Sequence, residues 1–254
     1  MRPSFPKPAS SRPKSSLSST AADILNNGAL ERKRRSLSEA SMYLTNGQRV
    51  RKLLFHLLRR PGDVSSYLRY SLTCRTPLEL ALPWWSMGAI RAANHHLSPE
   101  HEVFEWGSGG STLYLARRAK QVTTVEQHPG WLEKVSASLR QASLENVSLL
   151  FRDLDLSTSE AFEACPYAQA LDSPRDVVVV DGEDAFGPDS RWSARETCFR
   201  LAQKWVKKPG GLVILDDSWR YPAIRSESLA KKLVVHEGTG PCRKGVTSTD
   251  FHYY

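Results

Sequence analysis

No apolar run in the 254-residue chain approaches the roughly 18 residues of a membrane-spanning helix. The N-terminus also carries no continuous apolar segment of the secretory kind. Both absences lead to the expectation of a soluble cytoplasmic protein. Organellar import stays open for a eukaryotic host, because the leader is rich in Ser and Arg and poor in acids. Cysteine is sparse: Cys74, Cys165, Cys198 and Cys242 lie far apart with no C-x-x-C, which argues against a zinc site or redox pair. Ser108 and Ser111 stand outside any G-x-S-x-G context, so neither reads as a hydrolase nucleophile. His95 and His96 are adjacent, and on a helix their rings diverge instead of sharing a metal.

Acidic residues are few near the N-terminus. The first 35 residues hold eight basic side chains and two acids, a net of +6 out of a total of +8, which leaves +2 for the remaining 219. A nearly neutral body makes nucleic acid an improbable partner. Residues 1–38, rich in Ser, Pro, Arg and Lys, have too little apolar surface to offset the entropy of ordering and are expected to form a disordered basic tail. Residues 39–98 read as a helical extension packing on the core. Val50, Leu53, Leu54, Leu57 and Leu58 recur at helical spacing among Arg51, Lys52, Arg59 and Arg60, and Pro61-Gly62 ends the run. Such a helix docks on its own domain or makes weak peripheral contact with a membrane. Pro83-Trp84-Trp85 opens the last helix, to about His96, and its aromatic pair is either pocket wall or core.

Residues 99–254 alternate in a doubly wound rhythm. Strands are expected at 103–106, 122–126, 147–152, 177–180 and 212–215. Helices are expected at 111–119, 129–141 and about 191–206, with a loop or short helix near 157–167. The run Val177–Val180, wholly apolar and β-branched, reads as a buried parallel strand. Residues 233–236 and 247–254 straddle a Gly- and Pro-rich turn and read as a closing hairpin. The expected fold class is α/β: a Rossmann-like doubly wound sheet of about seven strands, mostly parallel, with an antiparallel C-terminal hairpin strand and a helical N-terminal extension.

Residues Val103–Ser111 read V-F-E-W-G-S-G-G-S, and Glu126 follows 19 positions after Gly107 at the end of the next strand. A strand breaking into glycines before a helix, with an acid about 20 residues on, is a nucleotide-binding arrangement in which the acid grips ribose hydroxyls. Glu105, two residues before the first glycine, would sit poorly beside a pyrophosphate and suits a cationic ligand. The pattern E-x-G-x-G resembles motif I of class I S-adenosylmethionine-dependent methyltransferases. The third glycine is replaced on either alignment: Ser111 on the methyltransferase template, Thr112 on the dinucleotide one. The resemblance implies that Glu105, Gly107, Ser108 and Gly109 cradle the methionine portion of the cofactor. It further implies that Glu126 holds the ribose and that Asp153, just past strand three, faces the adenine amino group.

Acids follow the remaining strands as well: Asp181-Gly182 after strand four, Asp216-Asp217 after strand five. These resemble the metal-binding strand ends of catechol and caffeoyl-coenzyme A O-methyltransferases. That implies a magnesium or other divalent cation on Asp181, Asp216 and Asp217, with Asp181 and Asp217 catalytic. Asp217 stands where those enzymes have an amide, and Asp184 where the catechol enzymes have a lysine. Without a metal, one of these acids or His236 would act as general base, and crowded carboxylates would need a proton or a basic partner such as Arg220. No Asn-Pro-Pro-Tyr follows strand four, the mark of nucleic-acid amine methyltransferases. The expected function is S-adenosylmethionine-dependent methyl transfer to an oxygen or nitrogen of a small molecule. A nucleotide-dependent oxidoreductase and a non-catalytic binding protein on the same fold are the alternatives.

Overall fold

The computed structural model describes residues 46–183 and 192–254. The expected tail 1–38, the first residues of the helical extension and Asp184 lie outside the described residues.

Seven strands form one sheet in the order β3-β2-β1-β4-β5-β7-β6. They are β1 (Glu102–Trp106), β2 (Gln121–Glu126), β3 (Val147–Phe151), β4 (Val177–Val180), β5 (Leu212–Leu215), β6 (Lys232–Thr239) and β7 (Val246–Tyr253). The first five are parallel, and β7 runs antiparallel between β5 and β6, with Ile214 opposite Phe251. This is the mostly parallel, doubly wound sheet expected from the sequence. Its hairpin enters with the second strand inside, so β6 forms the edge.

Period-two alternation explains why both faces are apolar. Phe104, Trp106, Val178, Val180, Val213 and Leu215 face one core. Val103, Val177, Val179, Leu212, Ile214 and Phe251 face the other. Short β-branched strands buried on both sides need helices on both sides. Cys198, Phe199 and Ala202 of a helix at Ala194–Trp205 cover the first face. Ile90 and Ala93 of a helix at Met87–His96, with Tyr114 and Leu115 of one at Gly110–Ala116, cover the second.

In chain order the helices are α1 (Asn46–Arg59), α2 (Asp63–Ser66, continued by a π-helical turn over Tyr67–Ser71), α3 (Pro77–Leu80), α4 (Met87–His96), α5 (Gly110–Ala116), α6 (Pro129–Gln141), α7 (Ser159–Ala164), α8 (Ala194–Trp205) and α9 (Pro222–Glu227). Two starts differ from expectation for the same reason. The Ser86 side chain accepts from the Ala89 N–H at 3.2 Å, so α4 begins after Trp85 and not at Pro83. Ser193 accepts from the Glu196 N–H at 3.2 Å and starts α8 three residues later than expected. Helix α1 rests on the body through half-buried Leu53, His56 and Leu57. Lys52 adds an ion pair to Glu237 at 2.7 Å, and the His56 ring lies 3.1 Å from the Asp63 carboxylate.

Candidate cofactor and catalytic site

Reversal of strand order places the switch point between β1 and β4, and their carboxyl ends meet there. Gly107 sits at φ +85°, where L side chains are strained, and a Cβ on it would lie 2.6 Å from the Gly182 Cα and 2.9 Å from the Asp181 carbonyl. The turns after β1 and β4 therefore touch backbone to backbone, and both need glycine. Gly110, the first residue of α5, packs against the Pro77 and Leu82 carbonyls with no room for a methyl group.

Glu105 points from β1 under the glycine turn and is fully buried. One of its oxygens accepts the Thr112 hydroxyl at 2.6 Å, and Thr112 accepts from the Gly109 N–H at 2.9 Å. The other oxygen, Oε1, is buried and has no hydrogen-bond partner among the described residues. Burial pushes the Glu105 carboxyl up to about 8; the nearby hydroxyls of Ser111, Thr112 and Thr124 oppose the rise and the Asp181 charge adds to it. Among the described residues no donor meets that oxygen, which leaves it open to a cationic group.

Glu126 ends β2 and binds the glycine turn. Its Oε2 accepts from the Ser108 N–H (3.2 Å) and hydroxyl (2.8 Å), and its Oε1 accepts from the N–H groups of Gln127 (3.0 Å) and His128 (2.9 Å). Four donors fill the four lone-pair positions of a carboxylate. Of these donors, the Ser108 hydroxyl alone can turn away without moving backbone. Trp131 closes over the turn, donating its indole N–H to the Ser108 carbonyl at 2.8 Å. Asp153 is exposed, and among the described residues its carboxylate receives no hydrogen bond, so it is not the turn cap its position would also allow.

Past β4 and β5 lie three buried or mostly buried carboxylates and two guanidiniums. Arg243, from the turn between β6 and β7, reaches Asp217 through Nη1 at 2.8 Å and Nη2 at 3.2 Å, and Asp216 through Nη2 at 3.0 Å. Arg195 of α8 lies 3.4 Å from Asp181 Oδ1 and donates to the Asp216 carbonyl at 2.9 Å and the Gly182 carbonyl at 3.1 Å. Thr249 donates to Asp216 at 2.8 Å, Thr247 to Asp217 at 2.7 Å, and the Trp85 indole to Asp181 at 3.3 Å. Asp217 occupies the left-handed region at φ +49°. Burial, with Asp181 and Asp217 nearby, pushes Asp216 well above the usual carboxylate range against the pull of Arg243. Burial also raises Asp181, opposed by Arg195. For Asp217 burial works upward, but Arg243 and the Thr247 hydroxyl outweigh it, and the carboxyl is held below its ordinary value.

A divalent cation on Asp181, Asp216 and Asp217 is not supported. Among the described residues no group of three or more His, Cys, Asp or Glu side chains is arranged to hold a metal ion. The physical reason is the guanidinium of Arg243, which already supplies positive charge to both Asp216 and Asp217. The basic partner that crowded carboxylates call for is supplied by Arg243, assisted by Arg195. His236 is half-buried beside Gly88 and Phe251, and its partial burial lowers its pKa. Trp85 is wholly buried, and Trp84 is half exposed with Arg243 stacked 4.8 Å from its ring centroid. The aromatic pair thus divides between core and surface. Arg195 and Arg243 carry no local motif and escape sequence reading. The strand Thr247-Ser248-Thr249-Asp250 does carry a signal, because four polar residues in a buried strand require polar partners.

No protein-family model matches the chain, and a search of curated proteins returned no match. A search of solved structures returned many. One is SMU.1697c of Streptococcus mutans, assigned as a methyltransferase and solved with SAH: 13% identity, 72% of this chain and 100% of that chain, TM-score 0.46. Another is precorrin 8w decarboxylase of Methanobacterium thermoautotrophicum, at 17%, 72%, 93% and 0.47. A third is an rRNA methylase of Streptococcus thermophilus, at 13%, 71%, 98% and 0.45. The sheet order, with antiparallel β7 inserted between β5 and β6, makes the fold a Rossmann-like doubly wound one.

Proposed function

We propose that the protein is an S-adenosylmethionine-dependent methyltransferase acting on an oxygen or nitrogen of a small molecule. The observation that carries this reading is the unpartnered Oε1 of fully buried Glu105 beneath a glycine turn. It calls for a cationic amino-acid end and disfavours the pyrophosphate of a dinucleotide. Gly107, Ser108 and Gly109 would lie along the methionine portion. The ribose would take the Oε2 position from which the Ser108 hydroxyl can rotate, and Asp153 would face the adenine amino group.

When bound, the cofactor supplies an already activated methyl sulfonium, so the task left to the chain is to place the acceptor in line and exclude water. Asp217 suits that task. Its Oδ1 is taken by Arg243, Thr247 and Trp219, but among the described residues Oδ2 accepts only from Arg243. That leaves capacity for one O–H or N–H of an acceptor. Asp181, fixed by Trp85 and Arg195, orients the same group from the β4 side. The exposed faces of Trp84 and Trp219 stand beside the Arg243–Asp217 pair and favour a compact, flat acceptor over a polymer backbone. A cytoplasmic location accords with this reading; no helix of the described residues is long and apolar enough to cross a membrane.

Isothermal titration with S-adenosylmethionine, S-adenosylhomocysteine and NAD tests the proposal. The first two should bind, and Glu126→Ala should weaken them at least about tenfold through loss of charge-assisted hydrogen bonds. Binding of NAD alone would overturn it.

A further inference from the structure

Residues 46–75 hold seven basic side chains and a single acid. That acid, Asp63, is buried and committed to Arg91 at 3.1 Å and His56 at 3.1 Å, and Lys52 is paired with Glu237 from the body, so the segment presents an excess of positive charge with no exposed carboxylate of its own. The same segment carries an unusual amount of exposed apolar surface. Of the thirteen large apolar side chains exposed among the described residues, seven fall between Val50 and Leu72.

These side chains are arranged in order. Val50, Leu54 and Leu58 are spaced by four and form one stripe along α1, adjacent to the Leu53–Leu57 side that rests on the body; Leu58 is 81% exposed. After the Pro61-Gly62 break, Val64 in α2, Leu68 in its π-helical turn and Leu72 at that turn's C-cap repeat the spacing. The apolar face of α1 is therefore wider than the contact it makes, and only part of it serves the fold. Arg51 flanks the first stripe, and Arg59 lies 4.0 Å over the exposed Phe55 ring.

We infer that this helical pair is a docking surface for an anionic lipid bilayer. Apolar stripes bordered by Arg and Lys match the two layers of a membrane interface: acyl chain for the leucines, lipid phosphate for the guanidiniums. Two other occupants fit less well. A second copy of the chain would bring one cationic face against another, and like charge opposes that contact. Nucleic acid would answer the charge but leave the leucine stripes in water. The inference is independent of the methyl-transfer reading.

Sedimentation of the full chain with lipid vesicles tests it. Phosphatidylcholine–phosphatidylserine vesicles should carry down the protein at low salt, and phosphatidylcholine vesicles should carry down far less. Leu54→Asp combined with Leu58→Asp should lower the partition coefficient at least about tenfold while the melting curve shifts by no more than a few degrees, because both side chains are more exposed than buried. Arg51→Glu with Arg59→Glu should lower it as well and flatten its salt dependence. Absence of binding to the anionic vesicles overturns the inference, as does equal binding to neutral ones. Undiminished binding of the double Asp variant also overturns it and moves the contact to the basic residues before 46. A dimer detected by light scattering and lost in that variant assigns the face to a second copy instead.

Discussion

Replacing Glu105 with Gln isolates the electrostatic feature on which the cofactor reading depends. The Glu105 carboxyl is pushed by burial from an ordinary 4.5 to about 8 in the folded chain. Between those values the folded state binds more protons than the unfolded state, so stability is greatest below about pH 4.5 and falls as pH rises toward 8. Each unit corresponds to about 1.4 kcal/mol. The Gln variant, neutral in both states, escapes this loss. Its stability advantage over the wild type should therefore grow by about 4 kcal/mol from pH 5 to pH 8 and then level off. Urea unfolding of both proteins across that range, in the absence of ligand, measures the gap directly. A companion signature lies in binding: a cationic ligand end should displace the Glu105 proton. Titration calorimetry at neutral pH in buffers of different ionisation enthalpy should then show close to one proton released by the wild type and none by Glu105→Gln, with weaker affinity in the variant. A stability gap that stays flat with pH would mean that Glu105 is ionised in the folded chain, and the argument from its unpartnered oxygen would fail.

Two further substitutions probe the rest of the site. Arg243→Ala removes the cation shared by Asp216 and Asp217 and should cost about 3 to 5 kcal/mol in thermal or chemical unfolding, because it leaves buried carboxylates uncompensated. The wild type should show no melting-temperature response to millimolar magnesium or calcium; tight metal binding would restore the cation reading of the three acids. Gly107→Ala combines a left-handed backbone with a collision against the Gly182 Cα and should cost at least about 2 kcal/mol. An unfolding midpoint unchanged from the wild type would show that the turns after β1 and β4 are not in contact.

Much of the fold follows from local pattern. Strands β4 and β5, each with four apolar residues between polar or glycine-rich neighbours, are too short for helices and read as buried parallel strands, and the glycine turn after β1 follows from its own local pattern. Glu105, Glu126, Asp181, Asp216 and Asp217 were legible as strand-end acids because strand length and direction fix where such residues emerge. Their partners were not legible. Arg195 comes from the first turn of α8 and Arg243 from a hairpin turn 26 residues beyond Asp217, and sequence spacing says nothing about which side chains such distant segments bring together. The acids read alike in the sequence, and an acid cluster awaiting a metal cannot be told from one already neutralised by guanidinium. Likewise the periodicity of α1 fixed a helix and its apolar side, but the width of its contact depended on the shape of the body beneath it. Chain chemistry set which groups stand at the sheet's carboxyl edge, and only tertiary packing decided their charge partners, because compensation of a buried charge is a property of distance in space.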